Sequence, residues 1–459
     1  MGARVAIIGA GISGLSCAFD LVNAGIAPVL IEARPRLGGV IQTERVNGCV
    51  IEAGPDSFLA AKPAAMELIG ELGLTSDVIG SNDHLRKTYV WKNGRLVALP
   101  DGLMMMVPTR ILPMVTTGLV SWSTKIRMGL ELLRSPRNGG GEDVSVAEFV
   151  ESHYGREAVD YLAEPLLSGI YGGSPHELSV RSVLPRFVEL EAKYGSLTKG
   201  VLAERRRAAA QPNHQPLFRT LKGGLAQLTG AIEQRIQGKV EVLYRRAEAV
   251  ERAAGGYGFR IRMDGDWLEA DRVVLACEAW RAAALAPCAR LGELLSGVPY
   301  GSSMTVALGF RNTDFPRPLA GFGFLVPRRE RRRLVACTWV GTKFSHRVPE
   351  GQVLLRCFLG GTEDPGVLDE SDDAVTTEVL DELHRIIGFQ AQPEFVRIFR
   401  WPRAMAQYAV GHQQRMAEVQ DRLVSLPGFY LAGNAYEGIG IPDCIRTGRQ
   451  AAARILRAD

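Results

Sequence analysis

Long hydrophobic runs are what this 459-residue chain most plainly lacks. No stretch reaches the roughly eighteen uncharged apolar residues that a membrane-spanning helix requires. The nearest contender, Gly102 to Val115, is interrupted by Pro108, Arg110 and Pro113, so it does not cross a bilayer as one helix. Its Met104, Met105 and Met106 suit an irregular apolar cavity, a membrane interface or ordinary core. Cysteine is scarce too. Cys17, Cys49, Cys277, Cys288, Cys337, Cys357 and Cys444 are odd in number and include no C-x-x-C pair, which argues against a disulfide framework and for reduced thiols in the cytoplasm. Neither sign of charge prevails. With 54 Lys and Arg against 50 Asp and Glu the net charge is +4, so nucleic acid is not an expected partner, although an anionic substrate or lipid surface is compatible. The histidines His84, His153, His176, His214, His346, His384 and His412 fall at no metal-ligating spacing, so no metal is expected. No Ser-His-Asp or Cys-His arrangement stands out, and no basic leader precedes the first strand, so a secretory signal is not expected.

Glycine, by contrast, is abundant and placed with purpose. An apolar strand, Ala3 to Ile8, runs straight into Gly9-Ala10-Gly11-Ile12-Ser13-Gly14-Leu15 and then into a helix-like stretch. Gly9 permits the sharp turn, Gly11 lets backbone approach a pyrophosphate at the helix N-terminus, and Gly14 lets helix and strand pack closely. A second strand, Pro28 to Ile31, ends in Glu32, about twenty residues on, where a ribose hydroxyl needs an acceptor. That acid favours FAD or NAD over NADP. The following Ala33, Arg34, Arg36, Gly38 and Gly39 offer a guanidinium for the pyrophosphate and backbone room for a bulky cofactor, which selects FAD.

The length calls for two or three lobes interleaved along the chain. The expected order is a cofactor segment over 1–90, a substrate and helical lobe over 91–215, a middle cofactor segment over 216–300, a substrate-domain sheet over 301–410 and a closing cofactor segment over 411–459. Asn93-Gly94 predicts a hairpin, Thr88 to Pro100, at the end of the first cofactor segment. Apolar residues three and four apart predict helices from about 110 to 210, with a glycine-rich connector at 135–142. The strand Asp271 to Ala276 is expected to return to the nucleotide domain, and strands such as Ser303 to Phe310 and Val353 to Phe358 to form an antiparallel sheet. Near the end, Gly433 and the turn Ile439-Gly440-Ile441 make a second glycine-rich strand-to-helix junction. A helix N-terminus there favours the negative charge that a reduced flavin accumulates. The fold class is thus α/β with α+β: a Rossmann-like FAD-binding domain, an antiparallel-sheet substrate domain and a mostly helical lobe.

Several longer segments are shared with one family. Gly54-Pro55-Asp56-Ser57-Phe58-Leu59 with Lys62-Pro63, Glu164 to Gly173, Leu221 to Leu225, Arg400 to Tyr408 with Val410-Gly411-His412, and Glu437 to Ile445 carry the likeness. The chain resembles, from end to end, the FAD-dependent porphyrinogen oxidases of haem synthesis, within an amine-oxidase-like superfamily. The resemblance implies FAD contacts at Gly9, Gly11, Ser13, Gly14, Glu32, Ala33, Arg36, Gly38, Gly39, Gly54, Pro55, Asp56, Ser57, Val250, Trp401, Gly433, Ile439, Gly440 and Ile441. It also implies a cavity lined by Gly169. Thr88 stands where eukaryotic members carry a propionate-binding arginine, and Lys343 and Arg356 are further candidate cations. The implied reaction is the six-electron oxidation of protoporphyrinogen IX or coproporphyrinogen III, by hydride transfer to flavin N5 and reoxidation by O2 to H2O2. No catalytic side chain is assigned, because geometry at the flavin carries most of the chemistry. The family further implies a helical lobe that contacts membranes in several members. A homodimer, a peripheral position on the inner face of the plasma membrane and hand-over to the next haem-pathway enzyme are compatible with it. The alternatives are a flavin amine oxidase, for which Tyr436 is a candidate aromatic, a carotenoid desaturase, or an FAD-binding scaffold without turnover.

Overall fold

The computed structural model describes residues 3–136, 142–208, 215–253, 255 and 257–458, so most of the predicted connector, 137–141, lies outside the described residues. The chain forms two compact units. The first is assembled from Met1–Ser81, Pro216–Pro299 and Gln414–Asp459, and the second from Asn82–Gln215 and Tyr300–Gln413. Residues 82–90 belong to the second unit because the hairpin at Asn93-Gly94 pairs there. Both turn residues adopt positive φ, 48° and 78°, as a tight two-residue hairpin demands.

The first unit is built on a five-stranded parallel sheet. Val5–Ile8 lies at its centre, between Val29–Ile31 and Arg272–Leu275, with Glu241–Leu243 and Phe429–Leu431 at the edges. Such strands are covered on both faces, and the burial of all four residues of Val5–Ile8 agrees. The first helix, Ile12–Asn23, packs against the last, Ile441–Arg457. Their contact is close enough that a Cβ on Gly448 would lie 2.1 Å from the Ser13 carbonyl oxygen. Arg449 then ties the last helix to Asp20 at 3.1 Å and to Glu71 at 2.8 Å. Val250 follows the strand Glu241–Leu243 and lies within the next, Ala247–Arg252, buried opposite Ile261 in a separate three-stranded sheet.

The second unit carries a seven-stranded sheet in the order Phe395–Ala406, Tyr300–Arg311, Gln352–Gly361, Ala336–Trp339, Gly323–Leu325, Thr88–Lys92, Arg95–Ala98. Alternation sends Met304, Val306, Leu308, Cys337, Leu355 and Cys357 to one face, where the helix Asp372–Ile387 covers them with Val375, Val379 and Leu383. The other face is left for the remaining residues of each strand. A helical lobe between Ile111 and Ala208 has its own core, with Met128, Phe149, Tyr154, Leu162, Leu167 and Phe187 all buried. No helix among the described residues is long and apolar enough to cross a membrane.

One buried carboxylate organises that lobe. Glu131 accepts hydrogen bonds from Leu197 N at 2.6 Å, Ser196 Oγ at 2.8 Å and His153 Nδ1 at 3.0 Å. Burial alone pushes its carboxyl up, but the bonds from His153, Ser196, Thr198 and Leu197 N outweigh it and hold the carboxyl below its ordinary value. A group depressed in the folded state adds stability above its unfolded pKa, about 4.3, and loses it as pH falls through the folded value. Urea midpoints measured at pH 7 and pH 4 are therefore expected to fall further in the parent protein than in Glu131→Gln. Equal falls contradict this assignment.

Candidate functional site

The glycine-rich turn sits at the mouth of the parallel sheet. Gly9 leaves the strand at φ 105°, and a Cβ there would stand 2.6 Å from the Ala276 carbonyl oxygen. A Cβ on Gly14 would lie 1.9 Å from the Gly9 carbonyl oxygen, whereas one on Gly11 would meet nothing within 4 Å. Close packing below the turn and open space beside Gly11, at the N-terminus of a twelve-residue helix, make an anion cradle. Ser13 is buried in the first turn of that helix.

Glu32, at the end of the next strand, points both carboxylate oxygens at backbone. Oε2 accepts from Ala10 N at 2.8 Å and Oε1 from Arg34 N at 2.9 Å, leaving a lone pair on each for a ribose hydroxyl. The carboxylate therefore binds the turn as well as offering an acceptor. Replacing Glu32 by Ala is expected to weaken FAD binding about 100-fold, nearly 3 kcal/mol, with Glu32→Gln intermediate. Flavin fluorescence quenching on reconstitution measures it, and an unchanged Kd contradicts it.

The loop beyond is folded onto the turn. Gly38 N donates to the Ala10 carbonyl at 2.8 Å, Gly11 and Gly38 form a parallel bridge, and a Cβ on Gly39 would lie 3.0 Å from Gly11 Cα. Arg36 donates to Gly39 O at 2.6 Å, and burial together with neighbouring Arg34 lowers its pKa. Ala33 is exposed. Gly54 backs onto Val40, whose carbonyl oxygen is 2.1 Å from a Cβ built there. Pro55, Asp56 and Ser57 follow, half-buried, with Ser57 Oγ donating to Asp56 Oδ1 at 2.6 Å.

The second glycine-rich junction lies in the same unit. Gly433 N donates to Thr447 Oγ1 at 3.1 Å, and Ile439-Gly440-Ile441 leads into the last helix. Asp443 accepts from Gly440 N at 3.2 Å and from Lys62 Nζ at 2.5 Å. Nothing local in the sequence announces that Lys62 pairs with Asp443 across 381 residues. An acid in the first turn of the last helix was the available signal. Trp401 lies in the second unit, buried on the strand Phe395–Ala406 opposite Ser303. Burial, with Glu278 nearby, pushes the Cys277 thiol up to about 12, and burial also holds Cys444 at about 12, so neither is a ready thiolate. Among the described residues no cluster of His, Cys, Asp and Glu is arranged to hold a metal.

The family description flavin-containing amine oxidoreductase matches residues 12–456. The chain belongs to that family. It is 36% identical to coproporphyrinogen III oxidase of Bacillus subtilis, over 99% of this chain and 98% of that one. It is 32% identical to the protein of that name from Staphylococcus aureus, over 98% of each. A crystal structure from Exiguobacterium sp. 255-15, provisionally called a protoporphyrinogen oxidase, superposes with a TM-score of 0.89 at 31% identity, covering 100% of both chains. The fold is thus that of the amine-oxidase-like flavoproteins, and FAD is the cofactor. The open space at Gly11, the helix N-terminus behind it and the acceptor at Glu32 fit such a dinucleotide.

The candidate substrate residues fall in the second unit. Strand register sets Thr88, Gly323, Thr338, Arg356 and Ala307 side by side, on the sheet face opposite the Leu355 and Cys357 core. Four small residues thus flank one buried guanidinium, 4.7 Å from the Phe358 ring on the same face. Gly169 is on the helix Glu164–Tyr171, and a Cβ there would lie 3.5 Å from Leu325 Cδ2, one residue pair along that face. Lys343 ends a short helix, Val340–Lys343, with its ammonium 5.2 Å from the Phe344 ring centroid.

Proposed function

We propose that this protein is an FAD-dependent porphyrinogen oxidase of haem biosynthesis, acting first on coproporphyrinogen III. The observation carrying the substrate reading is the row Thr88–Gly323–Thr338–Arg356–Ala307. The small side chains of Thr88, Thr338 and Ala307 suit a flat macrocycle, and a buried guanidinium suits a carboxylate. Coproporphyrinogen carries four propionates where protoporphyrinogen carries two, and the two curated relatives named above both bear the first substrate's name.

The Gly9–Gly14 turn with Arg36 would hold the FAD pyrophosphate, Glu32 the ribose, and the N-terminus of Ile441–Arg457 would favour negative charge on a reduced flavin. Bound there, FAD would supply a hydride acceptor and a route for electrons to dioxygen. The chain's own work is positional. Lys62 and Asp443 brace the last helix's first turn, while Gly169, lacking a side chain, keeps the tetrapyrrole cavity open. With no acid or base placed by the strand row, orienting a methylene bridge is the main contribution. Steady-state kinetics on both porphyrinogens are expected to give a kcat/KM at least about tenfold higher for coproporphyrinogen III. A preference for protoporphyrinogen IX overturns the substrate assignment and keeps the reaction class.

The protein also makes peripheral membrane contact through the helices Ile111–Thr116 and Trp122–Leu130. Ile111 and Leu112 are 81% and 73% exposed, and Trp122, Ile126 and Leu130 form an exposed stripe at four-residue spacing. Flotation with anionic vesicles tests this, and protein that stays at the bottom of the gradient contradicts it.

A further inference from the structure

The loop Tyr171-Gly172-Gly173 leaves its helix with its first two carbonyls already committed. Gln407 Nε2 donates to the Tyr171 carbonyl at 2.7 Å and to the Met405 carbonyl at 3.1 Å. Thr362 N donates to the Gly172 carbonyl at 2.9 Å, and Gly172 N closes the helix on Ser168 O at 2.9 Å. Gln407 is 4% exposed, and glycine makes the space for its amide. A Cβ on Gly173 would stand 1.9 Å from its Oε1, one on Gly301 3.3 Å from its Nε2, and one on Gly361 2.6 Å from the Gly172 carbonyl oxygen. A neutral amide is what this place takes. Its NH2 offers two donors to two carbonyls, whereas a carboxylate there has none.

The opposite end of the same helix is held independently. Glu164 accepts from Arg331 Nη2 at 2.8 Å and from Arg328 N at 3.0 Å, so loss of the Gln407 bonds loosens the end bearing Gly169 and leaves the start anchored. We propose that Gln407 is a positioning residue, acting through the Tyr171 backbone to fix the Gly169–Tyr171 wall of the substrate cavity and so to set how tightly a tetrapyrrole is held. This rests on the reading of Gly169 as a wall of that cavity.

Gln407→Glu and Gln407→Leu in the flavin-loaded enzyme test it. Ionised at high pH, about 9 or above, the glutamate of the first variant donates nothing, so KM for coproporphyrinogen III rises about tenfold while kcat stays within about twofold. As pH falls toward about 6 the buried carboxyl takes a proton and donates one O–H to Tyr171, and KM returns toward the parent value measured at the same pH. Gln407→Leu, with no donor at any pH, keeps its raised KM throughout. A KM unchanged from the parent in Gln407→Leu overturns the proposal. A Gln407→Glu KM that does not recover with acid, or flavin content falling in both variants, also overturns it, the latter making Gln407 a structural residue. If the parent itself turns over no porphyrinogen, the functional reading fails instead, a result distinct from a working parent with unaffected variants.

Discussion

Gly14→Val is expected to yield protein without bound FAD. The Gly14 position is 1.9 Å from the Gly9 carbonyl oxygen once a Cβ is built, and Gly9 cannot retreat because its own Cβ position is 2.6 Å from the Ala276 carbonyl oxygen. The first helix must therefore move away from the strand Val5–Ile8, taking its N-terminus and the Gly11 peptide out of register with Glu32. Affinity for FAD is expected to fall at least about 1,000-fold, or 4 kcal/mol, so the purified variant is colourless where the parent is yellow. Gly230→Ala is the matched control. Gly230 lies within the helix Ala226–Ile236, nothing stands within 4 Å of a Cβ there, and helix propensity alone favours the change by about 1 kcal/mol. A Gly14→Val protein that retains stoichiometric flavin contradicts the cradle as described.

The second large effect concerns a buried ion pair in the other unit. The Glu164 and Arg331 side chains are 8% and 12% exposed and 2.8 Å apart, with Glu164 also accepting from Ser168 Oγ at 2.7 Å. Glu164→Ala leaves the guanidinium to the Val326 carbonyl and to Glu363 at 3.8 Å. Removing one partner of a desolvated pair costs about 3–5 kcal/mol, because the other charge remains out of water. The urea unfolding midpoint is expected to fall by an amount equivalent to that loss of stability, with porphyrinogen turnover declining because Gly169 shares the helix. Glu164→Leu combined with Arg331→Met is expected to be less destabilised than Glu164→Ala alone, since neither charge is then stranded. A double variant as unstable as the sum of its single changes refutes the ion-pair account.

What was legible in the sequence was local. Gly9, Gly11 and Gly14 lie within six residues of one another, Glu32 closes the next strand, and Asn93-Gly94 announces its own hairpin, so spacing alone carries the geometry. What stayed hidden depends on long-range register. Lys62 meets Asp443 across 381 residues, Arg331 meets Glu164 across 167, and Leu197 meets Glu131 across 66. No periodicity encodes such pairs, because each is created by the packing of elements distant in the chain. The row that sets Thr88 alongside Gly323, Thr338 and Arg356 is of the same kind. Thr88 and Arg356 were identifiable as candidates, but only strand order places them on one face. Val250 and Trp401 are named by resemblance alone, and only strand register places the first opposite Ile261 and the second opposite Ser303.

The most direct test is the purified protein's visible spectrum, followed by addition of coproporphyrinogen III in air with porphyrin fluorescence and peroxide recorded together. The account predicts a bound-flavin spectrum, porphyrin formation well above the autoxidation blank and about three peroxides for each porphyrin, one per two-electron step. A flavin-loaded protein that accelerates neither coproporphyrinogen III nor protoporphyrinogen IX, yet releases peroxide with an amine, contradicts it.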